Sequence, residues 1–372
     1  MAKINVHVFE RLDTNPIPRN GALECRAVSK ILNEMGRLPW MLEYYRSLGV
    51  NRFFFVDNNS TDGSAEFLAR QPDCHVFSTG GSMAQANSGA AWQQGILYHY
   101  GESHWWLVID ADELFVYPDC EHIKLPAFCY YLDSIGAKGV SAFMLDMYSQ
   151  APVAQAVYRP GRSFLDTCPW FDTEYDFWPR PRHLQLYRGT GHKPWQTKSG
   201  RAPLLFPAMD VVGGPRLRVF YPQYRHAGFL GTLKMKVMRN LRDKLKRYKI
   251  RIKPNVPPVL FKVPLLRADK NLRLLDCHSV SPIMLAPVTG ALLHFKFFSD
   301  FHDRVEDAIR RGQHFDGASE YAHYRDAWSK NPNLSFYYEG SAKYENSLQL
   351  VKCGLMKDDP SYVAARSRSL AA

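Results

Sequence analysis

The stretch that decides the fold is WWLVIDADELF, residues 105–115, in which an apolar run meets three carboxylates and a second apolar run follows. Residues 105–109 are uncharged and predict a buried strand. Burying an unpaired carboxylate away from water costs free energy. Packing of the core therefore does not explain why such a strand should end on acidic residues. Asp110 and Asp112 are alternate residues of an extended chain and can point to the same side. Two interpretations follow: a seat for a hard divalent cation at the carboxyl end of a strand, or a solvated acidic turn.

The composition is that of an ordinary globular protein. The chain has 372 residues, 46% of them hydrophobic and 22% charged, which predicts one large or two modest domains. We find no apolar run long enough to span a bilayer and no signal peptide. The seven cysteines form no Cys-x-x-Cys pair, so neither a disulfide framework nor a zinc ribbon is indicated. We therefore expect a cytoplasmic protein in a reducing environment.

The net charge of +11 comes largely from one segment. Residues 234–253 contain ten Lys or Arg and one acid, Asp243. Apolar residues at helical spacing within residues 231–249 predict a basic amphipathic helix, which is typical of contact with an anionic membrane surface, here the inner face, or with an acidic partner. The other interpretation is a solvated helix whose apolar stripe packs in the core. Because the rest of the chain is nearly neutral, we expect no nucleic-acid partner.

Strands and helices alternate through the first third of the chain. Pro39 is favoured at the start of a helix and Gly49 at its end, and Ser60 or Thr61 is the expected N-cap of the next helix. The alternation predicts a mostly parallel sheet with right-handed crossovers. The predicted strands are residues 23–32, 52–56, 74–78 and 105–109, and the third helix is predicted over residues 84–100.

Ligands of such sheets bind beyond the carboxyl ends of the strands. The chain places polar residues after three of the predicted strands, and this convergence is the strongest functional signal in the order of the sequence. No Gly-x-Gly-x-x-Gly follows the first strand and no Gly-Lys-Ser/Thr loop is present, which disfavours a Rossmann dehydrogenase or a P-loop enzyme. The residues at the three strand ends are Asn33, Glu34, Asp57, Asn58, Asp110 and Asp112.

Within residues 22–118 the sequence resembles a family 2-type glycosyltransferase. The motifs lie in that family's order and at plausible spacing. They are NE at 33–34, LPWMLEYY at 38–45, LGV at 48–50, FVDNNSTDGS at 55–64, ANSG at 86–89 and DADE at 110–113.

The resemblance implies a GT-A-like fold that binds a nucleoside-diphosphate-sugar and a metal ion, Mn²⁺ or Mg²⁺. It implies that Asp57 and Asn58 meet the base or ribose and that Asp112, with Asp110, binds the ion. Family members commonly carry Asp-Asp where this chain has Asp57-Asn58, so the choice of base stays open. The implied nucleotide-sugar-binding residues are Asn33, Glu34, Asp57, Asn58, Asn87 and Asp110, to which we add Lys262 as a cation for the diphosphate.

The second half of the chain reads as irregular α+β. Residues 261–267 and 275–280 predict paired strands, and residues 291–299 predict a strand that leads into a helix ending at Gly312. His294 and the helix after it resemble the C-terminal part of the same transferase group, where the histidine can complete the metal site. The other interpretation of His294 is a core histidine with its hydrogen bonds satisfied.

Residues 158–195 combine aromatic side chains with carboxylates. This mixture suits sugar binding, because rings stack on sugar faces and carboxylates accept hydroxyl protons, but it equally suits an irregular aromatic loop core. An inverting transferase needs a carboxylate base for the acceptor hydroxyl. The candidates are Asp172, Glu174 and Asp176, with Asp146 as another.

We thus predict an α/β protein with a GT-A-like, mostly parallel sheet flanked by helices. Its predicted function is metal-dependent transfer of a sugar from a nucleoside-diphosphate-sugar, a UDP-sugar by preference, to a glycan or lipid-linked acceptor. The alternatives are a nucleic-acid- or polyanion-binding protein using residues 234–253, a sugar nucleotidyltransferase, and a non-catalytic lectin-like relic of the fold. The predicted divisions are an N-terminal extension (1–21), the donor-binding domain (22–230), the part that completes the site (231–358) and a disordered tail (359–372).

Overall fold

The computed structural model describes residues 9–18, 23–179, 209–221, 260–313 and 315–371, together with Val237 and Leu241. Apart from these last two positions, the predicted basic helix at 231–249 lies outside the described residues. None of the helices in the described ranges is both long and apolar enough to cross a membrane.

The strands belong to one nine-stranded sheet and two small two-stranded sheets. Across the large sheet the strands follow the order β1-β4-β3-β2-β5-β11-β7-β12-β6. The strands are β1 (Glu10–Arg11), β2 (Cys25–Ile31), β3 (Arg52–Asp57), β4 (Cys74–Ser78), β5 (Trp105–Val108), β6 (Glu113–Val116), β7 (Gly139–Asp146), β8 (Trp170–Asp172), β9 (Tyr175–Pro179), β10 (Met209–Gly213), β11 (Phe261–Arg267), β12 (Gly290–His294) and β13 (Ser341–Lys343).

Helices flank the large sheet. The longest are found in the first crossovers and near the C-terminal end of the chain. In the described ranges the helices are α1 (Leu38–Leu48), α2 (Ser64–Ala69), α3 (Ala90–Tyr100), α4 (Leu125–Ser134), α5 (Phe164–Thr167), α6 (Phe301–Arg311), α7 (Phe315–Lys330), α8 (Ser347–Lys352) and α9 (Pro360–Ala371), with a π-helical turn at Arg216–Phe220.

The first half of the sheet is parallel, as predicted. β4, β3, β2 and β5 pair in that order and in the same direction. Their apolar runs are buried along almost their whole length, because helices cover the sheet and leave no solvated side. Gly49 ends α1 in the left-handed conformation, as the sequence predicts for a glycine at a helix end. The α/β fold class predicted from the sequence is therefore confirmed.

The second half of the sheet is mixed. β11 lies between β5 and β7 and is antiparallel to both, so β5 and β7 run in the same direction. β12 is parallel to β7, and β6 is antiparallel to β12. Strands on both sides of the predicted division at residue 230 therefore share one sheet.

Two helix starts differ from the predictions. α2 begins at Ser64, because the Ser60 and Thr61 backbone N–H groups donate to the side chains of Asp57 and Asn33. α3 begins only at Ala90. The three residues before it, Asn87–Gly89, all have positive φ, which ends any helical run that started earlier.

Residues 275–280 do not form the predicted strand. The carboxylate of Asp276 accepts hydrogen bonds from the backbone N–H groups of His278 and Ser279, which closes a turn instead. Of the expected pairing with residues 261–267 the described contacts show the Val263 backbone N–H donating to the carbonyl of His278 at 3.3 Å, while an isolated bridge joins Leu274 to Val280 across the turn.

The C-terminal segment also differs from expectation. Residues 359–372 are predicted to be a disordered tail, but most of them form α9. The helix is held by Tyr362, which is buried against the rings of Phe128 and Tyr131 and donates a hydrogen bond to the carbonyl of Pro118. Burial of this one aromatic side chain thus stabilises the helix, although most of the residues around it in the sequence are polar or small.

Candidate functional site

Polar and charged residues from several strands lie at one edge of the large sheet. β2, β3, β5, β7 and β12 end at this edge, while β6 and β11, which run the opposite way, begin there. The polar residues predicted from three strand ends therefore lie beside residues from the second half of the chain. The additional residues at this edge are Asp146, Lys262 and His294.

The first group at this edge is a cluster of two lysines and two carboxylates, Lys30, Lys262, Asp110 and Glu113, which we call the lysine cluster. Lys30 Nζ lies 2.5 Å from Asp110 Oδ1, and Lys262 Nζ lies 3.7 Å from Asp110 Oδ2. Lys262 Nζ also donates to Glu113 Oε2 at 2.7 Å. The Asp110 backbone N–H donates to the same Glu113 carboxylate at 2.9 Å, so Glu113 fixes both a lysine and the turn.

The opposite charges within the lysine cluster stabilise one another despite their burial. Burial alone would raise the pKa of Asp110, but Lys262 and Lys30 hold it well below its usual range. Burial would lower the pKa values of both lysines, yet Asp110 raises that of Lys30, and Asp110 with Glu113 raises that of Lys262. Asp110 and the two lysines are therefore charged at neutral pH.

The backbone beside Lys30 is shaped to admit this side chain. Asn87, Ser88 and Gly89 adopt positive φ in succession, and the Asn87 side-chain amide donates to the carbonyl of Leu275 at 2.6 Å. A Cβ built on Gly89 would lie 2.3 Å from Lys30 Cδ, so only glycine leaves room for the lysine stem. The left-handed turn thus positions Lys30, and the turn itself is tied to the loop after β11.

The second group, the histidine cluster, consists of Asp112, His294, Asp146 and Arg216. His294 Nε2 lies 3.6 Å from Asp112 Oδ2, and His294 Nδ1 lies 2.6 Å from Asp146 Oδ1. Arg216 binds both oxygens of Asp146 at 2.7 Å. The side chains of His294, Asp146 and Arg216 are all buried. The parallel pairing of β7 and β12 sets Asp146 and His294 opposite each other.

His294 Nδ1 has two partners. It lies 2.6 Å from Asp146 Oδ1, which can only accept, and 2.8 Å from Arg216 Nη2, which can only donate, while Nε2 faces the carboxylate of Asp112. Burial would raise the pKa of Asp146, but Arg216 and His294 hold it well below its usual range. A carboxylate that orients a histidine whose other nitrogen faces a second carboxylate is the arrangement found around metal-binding histidines.

Two further ion pairs border Asp112. Both oxygens of Glu34 accept from Arg304, at 2.5 and 3.0 Å, and Arg37 binds both oxygens of Asp300 at 2.8 and 3.0 Å. Burial would raise the pKa of Asp112, but His294, Arg304 and Arg37 lower it. Asp112 is thus an ionised carboxylate with cations around it.

The loop after β3 carries the residues predicted to meet the base or ribose. Asp57 is buried and accepts from the Ser60 backbone N–H. Asn58 donates both side-chain N–H bonds, to the carbonyls of Thr79 and Gly81 at 2.9 and 3.0 Å. Asn33 accepts from the Thr61 backbone N–H at 2.8 Å, which links this loop to the one after β2.

The predicted base candidates differ in their surroundings. Asp172 is buried, and both its oxygens accept from Arg218 while Tyr148 donates to one of them. Burial raises its pKa above the usual range. Glu174 is exposed, and Asp176 lies on β9, where its side chain is outside the described part.

The donor set decides where a cation fits. Among the described residues no group of three or more His, Cys, Asp or Glu side chains is arranged to hold a metal ion. Mg²⁺ and Mn²⁺ need only one or two carboxylates when phosphate oxygens complete the shell. Asp112 with His294 meets that requirement, whereas Asp110 has an ammonium group against each oxygen.

Sequence patterns do not reveal three of the site residues, because the partners of these residues are remote in the chain. Lys30 pairs with a residue 80 positions away and Arg216 with one 70 positions away. Arg304 reaches Glu34 across 270 positions. A signal did exist for Lys30, since a lysine near the end of a strand that is buried along its length needs a counterion.

Comparisons with known proteins add little to this picture. No protein-family model matches the sequence, and no curated protein matches it. A solved structure of 4-diphosphocytidyl-2C-methyl-D-erythritol synthase is 16% identical over 36% of this chain, with a TM-score of 0.23. The matched region spans 65% of that enzyme's chain. A likeness at this TM-score supports no conclusion about fold or function.

Proposed function

We propose that this protein is a metal-dependent glycosyltransferase that moves a sugar from a nucleoside-diphosphate-sugar to a glycan or lipid-linked acceptor. The observation that carries the proposal is the adjacency of two groups at one sheet edge. The lysine cluster offers two ammonium groups for phosphate oxygens, and the histidine cluster offers Asp112 and His294 for a divalent ion. A diphosphate with its cation needs both kinds of ligand.

The chemistry of the leaving group explains this need. A sugar nucleotide departs as a multiply charged diphosphate, and groups aimed at its oxygens stabilise that charge as it develops. The bound ion would supply part of this stabilisation as a Lewis acid. Asp112 and His294 would hold it, with Asp146 and Arg216 fixing the histidine. Asp110, predicted as a further ligand, would contribute only if Lys30 released it.

The nucleotide would be bound by the loops after β2 and β3. Asn58 donates both amide protons to backbone carbonyls, so its Oδ1 is the atom left to accept a hydrogen bond from a ligand. Such an acceptor suits the N3–H of uracil, which supports a UDP-sugar as the donor. Asp57 and Asn33 brace the loop, and Asn87 braces Lys30 through the left-handed turn.

For the acceptor side we propose Glu174 or Asp176 as the base of an inverting reaction. Asp172 is the least suited of the three predicted candidates, because Arg218 and Tyr148 occupy both its oxygens. Its ion pair instead ties β8 to the π-helical turn that contains Arg218.

Thermal-shift measurements with UDP-, GDP- and CDP-sugars, each with and without Mn²⁺, test the proposal. We expect one nucleotide to raise the melting temperature in a metal-dependent way, and Asp112→Ala to abolish the metal dependence. Asp303→Ala, at a fully solvated position of α6, is the control. If no nucleotide stabilises the protein, the proposal fails. Release of pyrophosphate from a nucleoside triphosphate and a sugar phosphate would instead establish a sugar nucleotidyltransferase, and salt-sensitive oligonucleotide binding a polyanion-binding protein.

We also propose that residues 234–253 contact an anionic membrane surface on the cytoplasmic side. The support is their charge, ten cations against one acid. Flotation with liposomes containing anionic lipid is the test, and a protein that stays in the lower fraction at low salt would contradict it.

A further inference from the structure

We propose that Lys30 and Lys262 bind the diphosphate of the donor, and that Asp110 is the counterion this diphosphate displaces rather than a ligand of the metal ion. The identity of the anion as a nucleoside diphosphate rests on the proposed function. The existence of an anion site between the two lysines is argued independently of that function.

The burial pattern within the lysine cluster supports this assignment. The side chains of Lys30 and Lys262 are 9% and 4% exposed, whereas that of Asp110 is 34% exposed. The carboxylate therefore covers the two ammonium groups on their solvent side. A more highly charged anion that arrives from solvent would meet Asp110 first and compete with it for the same donors.

The donor count allows the exchange. Each ammonium group carries three N–H donors. Lys262 gives one to Glu113 at 2.7 Å, a contact that is buried and keeps the lysine in place. Its distance of 3.7 Å to Asp110 is longer than a hydrogen bond, so this ammonium still has donors for phosphate oxygens.

Charge also disfavours Asp110 as a metal ligand. A divalent ion on either oxygen of Asp110 would lie next to the ammonium group that now faces that oxygen, and like charges at such distances repel strongly. Asp112 has instead a histidine nitrogen on its open side, and the guanidinium groups nearest to it are each paired with Glu34 or Asp300. The anion would thus bind at the two lysines and the divalent cation at Asp112 and His294, which are separate sites.

The backbone is specialised for the lysine. The stem of Lys30 passes over Gly89, where a Cβ would lie 2.3 Å from its Cδ, and three residues with positive φ form this passage. A left-handed turn of non-glycine residues carries strain, and such strain is commonly stored at functional sites.

Isothermal titration calorimetry on the full chain tests the inference, with pyrophosphate and with UDP, GDP and CDP, in EDTA and in Mn²⁺. In EDTA we expect Lys30→Met to weaken binding of pyrophosphate and of the preferred nucleotide at least tenfold, and Lys30→Arg to restore part of it. Asp110→Asn should bind both anions at least as tightly as the wild type and keep the enhancement by Mn²⁺. Asp112→Asn should lose that enhancement. Lys138→Met, at an exposed lysine before β7, is the matched control, and melting temperatures show whether each variant is folded.

The outcomes separate the two proposals. Wild-type affinity for both anions in folded Lys30→Met, or loss of the Mn²⁺ enhancement in Asp110→Asn, overturns the inference while leaving the proposed function in place. Binding of pyrophosphate that depends on Lys30, without binding of any nucleotide, overturns the proposed function and supports the inference. Binding of neither anion by the wild type overturns both.

Discussion

Lys30 crosses the backbone at Gly89 so closely that a Cβ on residue 89 would lie 2.3 Å from Lys30 Cδ. Gly89 has a φ of +80°, so the absence of a side chain serves both the conformation of the turn and the passage of the lysine. A residue with no functional group therefore determines where a charged group of the site can lie.

Gly89→Ala should displace Lys30 and destabilise the protein. The positive φ alone costs an L-residue about 1 kcal/mol or more, and the clash with the lysine stem adds to it. We expect a loss in the free energy of unfolding, measured with urea, together with weaker binding of pyrophosphate. Gly161→Ala is the control, because Gly161 has a φ of +78° and open space around it. Equal losses in the two variants would show that the lysine adjusts without cost.

Asp146→Asn should weaken metal binding through His294. The amide is no longer a charged partner for Nδ1 of the histidine, and loss of such an orienting carboxylate typically costs about 10–100-fold in metal affinity. It also removes the nearer counterion of buried Arg216 and leaves Glu320 at 3.5 Å, which costs at most roughly 3–5 kcal/mol of stability. Electron paramagnetic resonance of added Mn²⁺ measures the affinity.

Asp172→Asn is the matched control for that measurement. It removes the partner of a second enclosed arginine, Arg218, and should destabilise the protein by a comparable amount. Since Asp172 does not touch His294 in the described contacts, Mn²⁺ affinity should stay at the wild-type value. If Mn²⁺ affinity fell equally in both variants, the loss would reflect overall stability and not the orientation of His294.

Stability should fall as the pH drops from 6.5 towards 5, through His75. Burial lowers the pKa of this histidine to about 4, although Asp13 opposes the shift, and its Nε2 is buried without a partner. The unfolded chain takes up a proton below pH 6.5 while the native protein does not until about pH 4, so acid favours unfolding. The loss from this residue is roughly 2 kcal/mol by pH 5.

Urea unfolding at several pH values measures this slope. In His75→Phe the free energy of unfolding should depend less steeply on pH over the same range, whatever the absolute stability of the variant. An unchanged slope in His75→Phe would assign the pH dependence to other groups.

Cys277 should be the first cysteine to react with iodoacetamide near pH 7.5. Burial would raise its pKa, but His278 and then Lys30 lower it below the usual range, whereas the pKa of the exposed Cys353 is raised. Thiolate is the reactive form, so His278→Gln should slow the reaction at Cys277 about tenfold. Peptide mass spectrometry after brief labelling gives the order. Earlier modification of Cys353 would contradict the prediction.

The parallel half of the sheet could be predicted from local sequence because its strands are short apolar runs separated by helices. Residues 74–78, in this half, match the observed β4 in full, and residues 261–267, outside it, match β11 in full. The antiparallel insertion of β11 could not be predicted, since strand order depends on contacts between residues far apart in the chain. Asp110 and Asp112 were recognisable as a pair from their spacing. Their different partners, two lysines for one and a histidine for the other, were not, because no local pattern encodes an ion pair across 80 or more positions.

The place of β11 has a consequence for how the chain is made. β5 and β7 are synthesised early, but the strand that joins them, Phe261–Arg267, leaves the ribosome much later. Until then both neighbours present open edges, and unpaired edges invite association with other chains. The growing polypeptide must therefore be shielded, by its own helices or by chaperones, through the whole interval before Lys262 can reach Glu113. The strand that joins β5 to β7 also brings Lys262 to Asp110 and Glu113, so the pairing of β11 and the assembly of the charged cluster are one event.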